Sequence, residues 1–139
     1  MTQQILKIAL MLLLPVLLVA GCEKEEQQLC GCESETIYTI PKDACLYGQM
    51  TYKVQLDPND NFYNKKFWIS YIDNNCKTCI HTFIVCNESY LPNGLLMLAN
   101  SKESKAIRFS GYIKEICNQK FDVADKTYER IILTSIEML

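Results

Sequence analysis

A short stretch of the chain, residues 74–86, brings together the side chains best suited to chemistry. Written NNCKTCIHTFIVC, it holds three of the eight cysteines and the only histidine. Its centre combines a C-x-x-C pair, Cys76 and Cys79, with His81 two residues further on. Thiolates and imidazole bind zinc, a C-x-x-C pair can cycle between dithiol and disulfide, and a histidine beside such a pair attaches haem. Three chemistries are therefore open to this stretch, besides a structural disulfide.

The neighbouring residues exclude haem and weaken the other two chemistries. Haem attachment requires the histidine directly after the second cysteine, and Ile80 intervenes here. Thiol–disulfide catalysis works when the first cysteine begins a helix, whereas this pair lies between a polar turn and a predicted strand. A zinc site would need a distant fourth ligand, and the chain has no second C-x-x-C pair. We favour a structural disulfide and keep a metal- or redox-active site at Cys76, Cys79 and His81 as the alternative.

Residues 1–21 have the pattern of an export leader. One positive charge, Lys7, precedes an apolar run over residues 8–18 that is too short to span a bilayer. The run ends in LVAGC, residues 18–22, which resembles the lipobox of bacterial lipoproteins. This resemblance implies cleavage before Cys22, acylation of that cysteine with chains such as palmitate, and a membrane as partner. Two or three acyl chains anchor a protein firmly where one does not.

The residues after Cys22 indicate a more specific location of the protein in the cell. Lys24, Glu25 and Glu26 resemble the export signal of surface-exposed outer-membrane lipoproteins. That resemblance implies a lipid-anchored protein of the outer membrane facing the cell surface; a periplasm-facing anchor is the alternative. The same residues suit a solvated tether, because clustered like charges and glutamine resist packing. We assign residues 22–35 to this tether and residues 36–139 to one domain.

Composition and missing motifs exclude several functions. The chain has 14 basic and 16 acidic residues, so loss of Lys7 with the leader leaves 13 basic residues and a net charge of −3. No basic block is present, which argues against nucleic acid as a partner. One histidine, no G-x-S-x-G and no glycine-rich phosphate loop argue against an enzyme. We expect a non-enzymatic binding or structural module without a cofactor, with a protein or a glycan as its ligand.

Outside the cytoplasm, cysteines form disulfides by default. Seven candidates follow the lipidation site: Cys30, Cys32, Cys45, Cys76, Cys79, Cys86 and Cys117. Because seven is odd, at least one thiol should remain free or pair with another chain. From their positions at predicted strand ends, we expect a bridge between Cys86 and Cys117. A second bridge would tie Cys30 or Cys32 to the domain near Cys45.

Hydrophobic patterning predicts mostly strands. Alternation or aromatic and β-branched content indicates strands at 49–56, 66–72, 79–86, 106–113 and 128–139, and a short helix at 95–100. Gly111, inside the fourth strand, indicates a bulge or bend. Three strands, a helix and two strands in about a hundred residues predict an all-β, five-stranded OB-like barrel with one short helix. A β-sandwich is the alternative.

A weaker resemblance points the same way. The segment IRFSGYI, followed by a terminal YERIILTSIE, is similar to small OB-like lipoproteins over roughly residues 36–139. On such a barrel, outward aromatic side chains can stack on sugars or peptides. Trp68 and Tyr112 are the candidates for that ligand platform, although core packing is the commoner role of such residues.

Overall fold

The computed structural model describes residues 30–54, 63–117 and 126–139 of the chain. Within these ranges it has one short α-helix, α1 (Asn93–Leu96), which continues as 3-10 helix over Met97–Asn100. Six strands make up most of the remainder: β1 Thr36–Ile40, β2 Leu46–Lys53, β3 Lys66–Ile72, β4 Ile80–Val85, β5 Ser104–Lys114 and β6 Lys126–Met138.

The predicted N-terminal leader and export signal lie outside the described residues. This applies to the predicted segment 1–21, to Cys22, and to the export-signal residues Lys24, Glu25 and Glu26. In the part of the chain that the structure describes, no helix has both the length and the apolar character needed to cross a membrane.

Four of the five predicted strands coincide with β3 to β6 to within two residues at each end. β2 begins three residues before the predicted 49–56, and residues 55 and 56 lie outside the described ranges. The helix at 95–100 corresponds to α1 and its 3-10 extension. Alternation indicates the strands that place one face in the core, as the burial of Met50 on β2 illustrates. The prediction of β4 rests on its apolar residues on both faces, and its last four residues are all buried.

Strand pairing closes the sheet into a barrel. β2 pairs with β3 and β5, β3 pairs with β4, and β6 pairs with both β4 and β5. All these pairs are antiparallel except β4–β6, which is parallel. The ring β2–β3–β4–β6–β5 therefore contains five strands, with the helix between its third and fourth strands in chain order. This is an OB-like topology, as predicted, and the sandwich alternative is wrong.

β1 is an additional strand that the sequence pattern does not predict. It pairs with β5, where Tyr38 lies opposite Ile113 and Ile40 opposite Gly111. Only Ile40 of this strand is buried, so no repeated core positions mark it in the sequence. Pairing with β5, burial of Ile40 in the core and the hydrogen bond from Tyr38 to Glu129 hold β1 in place.

Gly111 lies at a bend of β5, as predicted. The register between β5 and β6 shifts between Ser110 and Gly111. A Cβ atom at Gly111 would lie 2.5 Å from the carbonyl oxygen of Ile132 and 2.8 Å from Cγ1 of Ile131. Glycine is required here because the backbone of β6 approaches too closely for any side chain.

The barrel has two different ends. At the end of β4, residues after Val85 lead to α1, whose Leu95 and the following Leu98 are buried in the main hydrophobic cluster. Phe83 and Phe109 pack in the middle of that cluster with their rings 5.9 Å apart. The helix therefore covers the barrel end where β4 finishes. The opposite end, where β4 begins, holds the candidate site.

Two disulfides attach the N-terminal segment to the barrel. Cys30 pairs with Cys117, and Cys32 pairs with Cys86. The predicted Cys86–Cys117 bridge is therefore wrong, and neither Cys30 nor Cys32 pairs with Cys45. Cys45 is the free cysteine of the described residues and is exposed, which accounts for the odd number. The bridges join residues 87 and 54 positions apart, and constraints of that length stabilise a fold by roughly 2–5 kcal/mol.

Residues 30–35, assigned to the tether from their composition, lie against the barrel. Gly31 adopts a φ of 80°, which favours glycine, and its N–H donates to the carbonyl of Glu115. Ser34 is buried; its hydroxyl donates to the Gly31 carbonyl at 2.8 Å and accepts the N–H of Glu115 at 3.1 Å. Residues 30–35 therefore belong to the folded domain and not to the tether.

Candidate functional site

The open end of the barrel contains a cavity of about 320 Å³, which we call the mouth. Its polar and aromatic rim comes from four strands and the turn after β3: Tyr38, Tyr71, Asp73, His81, Thr127 and Glu129. Its apolar floor consists of Ile40, Leu46 and Phe83. A concave site with an apolar base and a few convergent polar groups is the usual form of a small ligand site.

Strand alternation places these side chains together. On β4, His81, Phe83 and Val85 share the inward face; Phe83 and Val85 are buried in the core, and His81 stands at the open end. On β6, Thr127 and Glu129 precede the buried Ile131 on the same face. The inward faces of the strands therefore change from apolar to polar toward the mouth.

His81 is held in one orientation. Its ring stacks between those of Tyr71 and Phe83, with centroids 5.7 and 6.3 Å away. Its Nδ1 lies 2.8 Å from Oγ1 of Thr127, in a hydrogen bond whose donor depends on the tautomer. Because Nδ1 is occupied, Nε2 is the ring nitrogen through which His81 can bind a ligand.

Tyr38 and Glu129 bridge the mouth. The Tyr38 hydroxyl donates to Oε2 of Glu129 at 2.9 Å, linking β1 to β6. The pKa of Tyr38 is raised above its ordinary value, first by burial and then by the hydrogen bond to Glu129 and the charge of that carboxylate. The Glu129 carboxylate thus places a negative charge beside the Tyr38 phenol.

Asp73 supplies a second carboxylate on the rim. Its Oδ1 accepts the backbone N–H of Asn75 at 2.7 Å, which orders the start of the loop between β3 and β4. No lysine or arginine of the described ranges lines the mouth, so the fixed charges that these ranges contribute to it are those of Asp73 and Glu129. The site therefore has a negative character over an aromatic and aliphatic floor.

The C-x-x-C pair lies in the loop beside this rim. Cys76 and Cys79 form a disulfide. Backbone hydrogen bonds from Cys76 to Asp73 and from Cys79 to Cys76 wind the loop tightly, and Asp73 donates back to the Cys79 carbonyl. The pair thus closes the β3–β4 hairpin two residues before His81.

The disulfide changes what this cluster can do chemically. A disulfide carries no thiolate for a metal, so Cys76, Cys79 and His81 do not form the zinc ligand set that their spacing allows. Within residues 30–54, 63–117 and 126–139, no group of three or more histidine, cysteine or acidic side chains is arranged to hold a metal ion. His81 instead contributes to the mouth through its ring and Nε2.

Trp68 and Tyr112 do not form one platform. Trp68 lies on β3 in a half-buried aromatic group with Tyr63 and Tyr128, at centroid distances of 6.3 and 6.1 Å. Its indole N–H donates to the Tyr63 carbonyl at 3.1 Å, and Nζ of Lys53 lies 4.8 Å from the centroid of its ring. Tyr112 is 44 % exposed on β5, a strand that does not pair with β3. Trp68 thus packs in a local cluster.

Most residues of the mouth escape prediction from the sequence. The sequence singles out His81 because of its side-chain chemistry. The other rim residues belong to no sequence motif: Tyr38, Tyr71, Asp73 and Glu129. Tyr38 and Glu129 are 91 residues apart, so no local pattern joins them. The alternation of Thr127 and Glu129 with the outward residues of β6 is the one available signal, since it marks polar positions on an inward face.

The fold and the site define a small, disulfide-linked, OB-like barrel with a cavity at its open end. No protein-family model matches the chain, and no curated protein matches it.

Proposed function

We propose that this protein is a lipid-anchored binding protein of the cell envelope, and that its barrel presents the mouth to a ligand outside the cytoplasm. The observation that carries this proposal is the mouth itself, a cavity of about 320 Å³ with an ordered histidine and two carboxylates above an apolar floor. Ligand sites of this size and composition usually bind one small group. The ligand is a protein or a glycan that offers such a group.

The cysteine chemistry supports the location. Three disulfides are consistent with an oxidising compartment, where such bridges persist. Cys30, the first cysteine bound to the barrel, follows Cys22 by eight residues. A chain of that length spans at most roughly 28 Å, so acylation of Cys22 would keep the barrel close to the membrane. We propose the outer membrane, with the barrel facing the cell surface.

A binding role is favoured over catalysis by the partners of His81. Oγ1 of Thr127 and Nδ1 of His81 have the spacing of a nucleophile and its base. However, no described residue hydrogen-bonds Nε2 to orient the ring as a third catalytic member would. The disulfide between Cys76 and Cys79 stabilises the hairpin next to this histidine. We therefore propose that the site binds and does not react.

The anchoring part of the proposal is tested by labelling with a palmitate analogue. The wild-type protein should incorporate the label and fractionate with the outer membrane, and Cys22→Ala should lose the label. A Cys45→Ser variant serves as the matched control, since Cys45 is the exposed free thiol, and it should label as the wild type does. Protease added to intact cells should remove the barrel; full protection would instead favour the periplasmic face.

The binding part is tested by ligand titration of the full protein in detergent micelles, observed by NMR. Ligands of the mouth should shift the ring resonances of His81, which is the only histidine. Blocked peptides and simple sugars form the test set. If neither class moves these resonances or those of Phe83, the mouth is not the binding site and the proposed function fails.

A further inference from the structure

We propose that the mouth selects an alkylammonium group, the chemistry of a lysine side chain or of a small primary amine. This inference rests on the proposed binding function and names the class of its ligand. Three features of the mouth support this inference: the sign of its charge, the aromatic rings at its rim and the buried apolar residues of its floor.

The charge of the mouth fits a cation. Among the residues that the structure describes, its charged lining consists of the carboxylates of Asp73, after β3, and Glu129, on β6, with no lysine or arginine. Each carboxylate has one oxygen engaged by a protein donor, through Asn75 and Tyr38 respectively. A carboxylate can accept several hydrogen bonds, so both retain capacity for the N–H groups of an ammonium ion.

The aromatic rings favour a cation as well. Tyr38, Tyr71 and His81 contribute three rings to the rim, and the rings of Tyr71 and His81 are stacked. The face of a tyrosine ring attracts an ammonium group within about 6 Å. An anionic ligand would meet both the carboxylates and these ring faces, and repulsion would exclude it.

The floor explains why the cation should be carried on an alkyl stem. Phe83 and Ile40 are almost fully buried below the rim, and Leu46 is half-buried beside them. A methylene chain can pack on such apolar surface while its charged head remains with the carboxylates. A volume near 320 Å³ lies at the lower end of the range for ligand sites, which suits a single side chain or a small amine.

The test titrates the full protein in micelles with lysine blocked at both termini, observed through the His81 ring by NMR. Blocked norleucine, which keeps the stem without the charge, and blocked glutamate are the comparison ligands. Blocked lysine should bind at least about tenfold more tightly than norleucine, and glutamate should not bind. Equal binding of lysine and norleucine would overturn the inference.

Two near-isosteric variants test whether the carboxylates of Asp73 and Glu129 produce the preference for lysine over norleucine. Asp73→Asn and Glu129→Gln should each weaken binding of blocked lysine by about tenfold while leaving norleucine unchanged. Glu137→Gln, on the same strand as Glu129 but paired with Arg108 outside the mouth, is the matched control and should bind as the wild type does. A retained unfolding transition in both mouth variants confirms that they fold. If Glu137→Gln weakens binding equally, the effect is one of net charge and the inference fails.

Two further ligands, butylamine and a neutral sugar, answer two questions. Butylamine tests whether the ammonium group comes from a free amine or from a polypeptide, and the sugar tests the binding function apart from the ammonium inference. Butylamine that binds as well as blocked lysine would indicate recognition of a free amine, whereas binding of blocked lysine alone would indicate a polypeptide partner. If a neutral sugar shifts His81 and Phe83 and no amine does, the binding function stands and the ammonium inference is wrong. If no ligand shifts the resonances of His81 and Phe83, both the proposed binding function and the ammonium inference are wrong.

Discussion

The hydroxyl of Tyr38 lies 2.9 Å from Oε2 of Glu129, and this contact joins the added strand β1 to β6 at the barrel mouth. Without β1, the five-stranded barrel would have neither Tyr38 nor Ile40 at this end. The extra strand therefore supplies part of the rim and part of the floor. It converts an open barrel end into a bounded cavity.

Tyr38→Phe should reduce the loss of stability at alkaline pH. The folded protein holds the pKa of Tyr38 above the value near 10 of an unfolded tyrosine. Its contribution is therefore fully present below about pH 10 and is lost as the pH rises toward the folded pKa, because only the unfolded chain releases the proton. Denaturant midpoints from pH 8 to 11, measured in a Cys45→Ser background to prevent disulfide exchange, should converge for the variant and its parent. Parallel curves would contradict the prediction.

The three disulfides should differ in their effect on stability. Replacing both Cys30 and Cys117 by serine should lower the free energy of unfolding by roughly 2–5 kcal/mol, because a long loop is released. Replacing both Cys76 and Cys79 by serine should cost less than about 2 kcal/mol, since only three positions separate them. Urea unfolding measures both. A larger loss from the Cys76–Cys79 pair would mean that this hairpin organises the whole barrel.

Gly111→Ala should destabilise the barrel by about 1–3 kcal/mol. The added methyl group would meet the backbone of β6 at Ile132, which cannot move without breaking strand pairing. Gly94→Ala is the control, since its Cβ would meet only the flexible end of Met138 and alanine favours the helix that Gly94 occupies. Thermal unfolding should show a loss for the first variant alone; equal losses would remove the backbone explanation.

Cys45 should be the one reactive thiol of the folded domain. It is exposed and unpaired, whereas the other six cysteines from Cys30 to Cys117 form disulfides. Alkylation without reductant, followed by peptide mass spectrometry, should modify Cys45 and leave those six unmodified. Alkylation at Cys76 or Cys79 would show that this bridge opens readily, and would revive the redox alternative.

Local patterns were sufficient for the elements of the barrel. β2, β3, β5 and β6 bury residues of one face, and β4 buries four consecutive residues, so alternation or an apolar run indicates each of them. Gly111 indicated the bend in β5, because a glycine inside a strand often marks a bulge, a bend or the close approach of another backbone. β1 lacks such a signal: four of its five residues are exposed, and its pairing with β5 is a property of the partner strand.

The sequence by itself determined the type and order of the strands, the bend at Gly111 and the presence of an unpaired cysteine, because these depend on neighbouring residues or on counting. Only the tertiary structure decided which cysteines pair, that residues 30–35 pack against the barrel, and which side chains surround His81. Those features join residues as distant as Tyr38 and Glu129. Such contacts exist only once the strands close into a barrel, since closure alone brings β1, β3, β4 and β6 to one end.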